Sequence, residues 1–215
     1  MAREQPHPLF PRCIAFVDGQ NLFYSAKEAF GRAYPDYDVK ALTARICQRQ
    51  NWILAEIRFY TGVPDASDNP FWNHFWTAKL AQMGRSGIVI YSRPLRYRNV
   101  VIRLPDGRAG TRLVGQEKGV DVRIALDVVR AAYEDRCDVI LLLSQDQDLT
   151  EAVDEVKAIA RRRGRWIRVA CAYPYSPAVQ NTRGIDKTDW IKIERSDYET
   201  CLDARDYRPK QKGGS

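Results

Sequence analysis

Asp138-Val139-Ile140-Leu141-Leu142-Leu143 carries five apolar residues in succession and then changes at once to Ser144-Gln145-Asp146-Gln147-Asp148. An unbroken apolar run of this length reads as a strand covered on both faces, as in a parallel sheet with helices above and below. Cys13-Ile14-Ala15-Phe16-Val17 repeats the pattern near the N-terminus and ends as abruptly at Asp18-Gly19. Both strands deliver acids at their carboxyl ends, where open parallel sheets gather functional groups.

Working outward, the remaining elements alternate. Asn21 to Phe30 reads as a helix stopped by Gly31, and Asp38 caps a second helix through about Gln50. Ile53 to Tyr60 is a strand, and Phe71 to Met83 a helix whose Phe71, Trp72, Phe75, Trp76, Leu80 and Met83 fall mostly at steps of three or four. Gly87 to Tyr91 is a further strand. Val100-Val101-Ile102 and Arg112-Leu113-Val114 flank Pro105-Asp106-Gly107 and predict a hairpin. Gly119 to Tyr133 and Asp148 to Arg163 are helices, the second ended by Gly164, and Trp166 to Cys171 is a strand. Strands alternating with helices predict one α/β domain with a central, mainly parallel sheet and helices on both sides. Its expected bounds are residues 13–206, with a basic hairpin insertion at about 93–114. Residues 1–12 form an N-terminal extension, and 207–215 a basic, disordered tail.

With 34 basic against 27 acidic residues the net charge is +7, which favours a polyanionic partner. The polar N-terminus lacks an apolar signal core and no run is long enough to span a bilayer, so the expected setting is the cytoplasm, away from membranes. Five cysteines without C-x-x-C spacing suggest neither a disulfide framework nor a zinc knuckle, and read as small buried residues.

If the two acid-bearing strands are neighbours, Asp18, Asp146 and Asp148 approach one another despite their separation in sequence. Asp121, in the first turn of a predicted helix, can project toward the same crevice. Clustered carboxylates repel, and a divalent cation relieves that; an all-oxygen set suits Mg²⁺ or Mn²⁺. Each acid also has a plainer reading. Asp18 could be a turn residue before Gly19, Asp148 a helix cap, and Asp121 an acid favoured by the helix dipole. Glu117 and Asp127 read as structural.

Val17-Asp18-Gly19-Gln20-Asn21-Leu22, Lys118-Gly119-Val120-Asp121-Val122 and Leu143-Ser144-Gln145-Asp146-Gln147-Asp148-Leu149 resemble, in order, the three motifs of the NYN family in its LabA-like branch. That family's third motif often has Gly where this chain has Gln145. The resemblance implies a PIN-like, Rossmannoid three-layer fold and Mg²⁺- or Mn²⁺-dependent cleavage of RNA. Asp18, Asp121, Asp146 and Asp148 would be the metal-site acids. Asn21 would hold the first turn, Ser144 would line the site, and Lys118 would face the phosphate.

Segment 91–112 holds Tyr91, Arg93, Arg96, Tyr97, Arg98, Arg103, Arg108 and Arg112. Arginine forks bind phosphates and aromatic rings stack on unpaired bases, so Arg96, Arg98 and Arg112 are candidate RNA contacts on a hairpin overhanging the crevice. The plain alternative is a solvated basic hairpin. The triplet Arg161-Arg162-Arg163 suits the C-terminus of its helix. Other chemistries are excluded by absence. Two histidines without a pairing do not make a metal-free ribonuclease, and no phosphate-binding Gly-rich loop or dinucleotide fingerprint is present. Gln20 stands where an aspartyl-nucleophile phosphatase would need its second acid. The rival class is a non-catalytic RNA- or protein-binding module of the same fold. An exposed apolar surface would allow a homodimer.

Overall fold

In the computed structural model, which describes residues 8–103, 108–180 and 182–210, the chain alternates strands and helices from its first element. The elements run β1 (Arg12–Asp18), α1 (Gly19–Phe30), α2 (Val39–Arg49), β2 (Ile53–Val63), α3 (Pro70–Arg85), β3 (Val89–Pro94), β4 (Arg96–Arg103) and β5 (Ala109–Gln116). They continue with α4 (Val120–Tyr133), β6 (Val139–Leu143), α5 (Thr150–Arg163), β7 (Arg168–Pro174), β8 (Asp189–Ile193) and α6 (Arg195–Glu199). A 3-10 turn, Gln147–Leu149, leads into α5.

Six strands form one parallel sheet in the order β3-β2-β1-β6-β7-β8. The two strands read first are the central pair, with Cys13 opposite Val139 and Val17 opposite Leu143. The connections run outward in one direction from β1 and in the other from β6, so the switch of strand order falls between them.

Alternation along the two strands makes two cores. Cys13, Ala15, Val17, Leu141 and Leu143 face α1, α2 and α3, together with α6. Ile14, Phe16, Ile140 and Leu142 face α4 and α5. This gives three layers, and it explains why Cys13–Val17 and Val139–Leu143 are apolar throughout. The aromatic positions of α3 serve the first core: Phe75 and Trp76 are buried, and Trp72 packs against it. All five cysteines are buried and free.

The structure departs from the sequence reading at three places. Beyond Cys171 the sequence suggested no element, yet β8 and α6 close the sheet's far edge. Asp189-Trp190-Ile191-Lys192-Ile193 does alternate, with Ile191 and Ile193 buried, but it is a short edge strand between loops. Tyr207, assigned from sequence to the unstructured tail, is buried instead. It meets Phe75 edge-on, donates to Asp203 Oδ2 at 2.6 Å and lies under the Lys79 ammonium. The hairpin forms as β4 and β5, separate from the main sheet, while the expected turn at Pro105-Asp106-Gly107 lies outside the described residues.

Lys79 explains why the packed chain extends to Tyr207. Its side chain is 1% exposed, donates to the Tyr37 carbonyl at 2.8 Å and faces Asp203 at 3.5 Å. A buried ammonium needs such partners, and residues 203–207 supply them. Tyr207→Ala is expected to lower unfolding free energy by about 3 kcal/mol, as for other buried aromatic truncations. Urea denaturation checks this; a loss within the range of ordinary surface substitutions would return Tyr207 to the tail.

Candidate active site

The carboxyl ends of β1 and β6 open into a cleft of about 470 Å³ whose lining includes Asp18, Asn21, Tyr24, Glu117, Lys118, Asp121 and Asp146. It therefore sits at the switch of strand order. Asp18 ends β1 and caps α1, accepting from the Asn21 N–H at 3.0 Å. Ser144, buried just after β6, donates from Oγ to Asp18 Oδ2 at 3.3 Å and accepts from the Asp146 N–H at 3.1 Å. The Asn21 side-chain oxygen accepts from the Gln145 N–H at 2.9 Å. Two side chains thus tie the ends of neighbouring strands together and hold the first and third motifs in register.

Asp121 arrives by a different route. β5 ends at Gln116, and Gly119 turns the chain into α4 with φ +74°, a left-handed conformation that a side chain would strain. Asp121 then sits in the first turn of α4 and lines the cleft beside Lys118. Asp148 does not join them. It is exposed and absent from the cleft lining, and its N–H donates to Asp146 Oδ1 at 3.0 Å. It lies in the 3-10 turn that begins immediately after Asp146.

Glu117, which sequence reasoning set aside as structural, is in the cleft. Its Oε1 is buried without a hydrogen-bond partner. Burial, the charge of Asp18 and then that of Asp121 push its carboxyl up to about 8, against the pull of the Gly62 N–H. Asp18 is also raised, to about 6. Burial is the main cause and the Asp146 charge adds to it, while the Asn21 and Ser144 hydrogen bonds oppose it. Position was the available signal: Glu117 directly precedes the Lys118-Gly119-Val120-Asp121 motif. Tyr24 was also missed. It is 57% exposed at the cleft, three residues after Asn21 and so on the same side of α1. Asp127, by contrast, is structural, buried between Arg58, Arg123 and the Tyr60 hydroxyl.

The cleft acids carry no ion pair among the described residues, although the chain is basic overall. Their donor set is all oxygen, one oxygen is orphaned, and two carboxyls are held above their ordinary values. That chemistry fits a hard divalent cation. Among the described residues no three His, Cys, Asp or Glu side chains converge into a direct cage.

The basic side chains stand outside. Arg96 pairs with Gln116, Arg98 with Val114, and Arg112 with Val100 across the hairpin. Even positions of β4 and their partners share one face, so all three arginines lie on it. None of the three has an acidic partner among the described residues. Arg96 is at the cleft end, and the Arg112 position is roughly 13 Å along the hairpin at ~3.3 Å per residue. Gln145 is buried, accepts from Ser25 Oγ at 2.8 Å and donates to the Arg183 carbonyl at 2.9 Å. It is not among the residues with positive φ, so the loop does not need glycine here.

A family model, the NYN domain, matches residues 12–181. No curated protein matches the chain. Among solved structures, ribokinase from Giardia lamblia aligns over 58% of this chain and 36% of its own at 12% identity, with a TM-score of 0.33. MurG from Acinetobacter baumannii aligns over 84% and 45% at 11% identity, with a TM-score of 0.32. This chain spans less than half the length of either, and likenesses of that size carry no inference about activity.

A carboxyl with a raised folded-state value stabilises the fold while protonated, and that stability is lost as pH rises through the folded value. For Glu117 the window runs from about 4.5 to about 8. Glu117→Gln is expected to leave Tm of the metal-free protein unchanged at pH 4.5. At pH 9 it should raise Tm by about 2 to 4 °C for each kcal/mol of repulsion removed. Scanning calorimetry at the two pH values checks it; equal effects at both would mean that Glu117 is not held under repulsion.

Proposed function

The chain belongs to the NYN family, and from that premise we propose that it is a ribonuclease hydrolysing phosphodiester bonds of single-stranded RNA with Mg²⁺ or Mn²⁺. The family consists of PIN-like nucleases, which supports a ribonuclease role in general. The observation that carries the finer reading is the gathering of Asp18, Glu117, Asp121 and Asp146 around one cleft, none of them in a salt bridge among the described residues although Lys118 lines the same space. A binding module would have no reason to keep this repulsion, because buried carboxylates without partners cost stability.

Asp18, Asp121 and Asp146, with Glu117, would hold the cation. When bound, it supplies an activated water and offsets the charge developing on the phosphodiester. Ser144 and Asn21 position Asp18 and the Asp146 loop. Asp148 braces that loop through its backbone. Glu117, protonated near neutral pH, is placed to hold a proton at the cleft and release it when the local negative charge is offset. Lys118, exposed at the rim, meets a phosphate, and Tyr24 offers a ring to an unpaired base. Arg96, Arg98 and Arg112 extend a positive track along the hairpin. A single strand suits this arrangement, since its bases can turn toward ring faces that a duplex hides. Membership of the LabA-like branch rests on the three motifs quoted from the sequence. Among the described residues no helix is long and apolar enough to cross a membrane.

End-labelled single-stranded RNA incubated with Mn²⁺, with Mg²⁺ and with EDTA tests this reading. Wild type is expected to cut only with the cation, and Asp146→Asn to lose on the order of 100-fold in rate, the scale of a lost catalytic group. Absence of cutting with either cation, alongside retained RNA binding, would establish the binding module instead. The arginine track makes a second prediction. Replacing Arg96, Arg98 and Arg112 together with Gln should flatten the log Kd against log salt slope by about 2, at ~0.7 per single-strand phosphate contact. An unaltered slope would remove the hairpin from the RNA path.

A further inference from the structure

A second depression lies beside the cleft, on the same edge of the sheet. It has a volume of about 390 Å³ and lies between the carboxyl ends of β2 and β3 and the first turns of α3. Val63, Pro64, Leu80 and Pro94 give its apolar lining, Val63 and Pro94 being neighbours in the paired strands. Its polar fringe is Asp65, Asn73, Thr77 and Ser92, and one Asp65 carboxylate oxygen already accepts from the Ser67 N–H and hydroxyl. The Thr77 and Ser92 hydroxyls, and the Asn73 side-chain oxygen, have no partner among the described residues. The Asn73 amide is fixed by donating to the Pro64 carbonyl at 2.8 Å. An apolar lining with a few exposed polar groups at the edge suits a planar heterocycle with hydrogen-bonding edges.

The depression is joined to the acidic cleft through two residues. Gly62 touches Glu117: a Cβ at Gly62 would stand 3.3 Å from the Glu117 Cγ. The next residue along the chain, Val63, already walls the depression. Arg93 lines the depression, and its guanidinium reaches across to Gly119 in the cleft, 3.0 Å from where a Cβ would sit there. The Arg93 guanidinium also lies 5.3 Å from the Tyr91 ring centroid. It therefore stands between the two spaces with no acidic partner among the described residues, at the point where a strand crossing from one to the other would carry its phosphate.

We infer that this depression is a nucleobase subsite for the nucleotide next to the scissile phosphate, with Arg93 holding the intervening phosphate. The inference rests on the ribonuclease reading for the identity of the strand. The Val63, Pro64, Leu80 and Pro94 walls receive the base, and Asn73, Thr77 and Ser92 meet its edges. Substrate bound there is drawn across the carboxyl end of β2, over Glu117, toward Asp18. Recognition of a flanking nucleotide would show as binding energy gained by longer substrates.

Filling the depression tests this. Thr77 is exposed on α3, so Thr77→Trp adds bulk at the fringe without touching the core; Ser92→Trp does so from the β3 side. Wild type is expected to cut a hexanucleotide with lower KM than a dinucleotide. Either filled variant should lose that advantage, with KM for the hexanucleotide rising about tenfold, the scale of one base contact, and kcat retained. A parallel arm measures fluorescence anisotropy of a labelled hexanucleotide on Asp146→Asn with and without Thr77→Trp. A tenfold weaker Kd in the filled protein supports the subsite even if wild type cuts nothing, in which case only the nuclease reading falls. Equal Kd values for filled and unfilled protein, or no binding by either, would overturn the subsite whatever the cleavage assay gives.

Discussion

The in-register parallel pairing of β1 with β6 is the constraint on which the site depends. With Val17 opposite Leu143, Asp18 at the end of β1 and Ser144 just after β6 emerge together at the same edge. Each strand is covered on both faces, so the polar residue that ends it cannot be displaced without moving a core layer. The hydrogen bonds that Ser144 donates and Asn21 accepts then tie the two loops at a spacing set by neighbouring strands. Asp18 is left 9% exposed with an acid nearby and no salt bridge among the described residues. The fold therefore supplies rigidity and burial while leaving the charge imbalance to be met from outside.

Charge is sorted by depth. Acids line the interior of the cleft, whereas Lys118, Arg93 and the hairpin arginines stand at or beyond its rim. Had the arginines reached the carboxylates, each would have neutralised an acid and lost its own availability. The short β5–α4 connection, turned by Gly119, keeps the two sets adjacent but separate. An approaching polyanion meets the outer positive set first, and the net charge of +7 has the same sense.

Gln145 shows how a departure from a family pattern can be absorbed. Glycine at that position would leave space and backbone freedom. Here the amide fills the space and links Ser25 on α1 to the Arg183 carbonyl. Gln147 adds a second link by donating to the Gly184 carbonyl and accepting from the Asp186 N–H. The loop that carries Asp146 is thereby braced from behind by the segment after β7, and the carboxylates are unaffected.

The sequence by itself determined the alternation of strands and helices, the two central strands and the acids at their ends. Those are local properties: an apolar run and the polar residue that stops it are neighbours in the chain, and burial on both faces writes itself into consecutive positions. The ordered motifs around Asp18, Asp121 and Asp146 were legible for the same reason. The tertiary structure alone decided which acids share a space. Asp148, two residues from Asp146, is exposed and outside the cleft lining, while Glu117 enters because Gly62 on another strand lets it approach. It also decided that Tyr207 is core, since the buried Lys79 that needs its neighbourhood lies 128 residues earlier. Contacts of that range leave no periodicity to read; they exist only once the sheet has brought distant segments together.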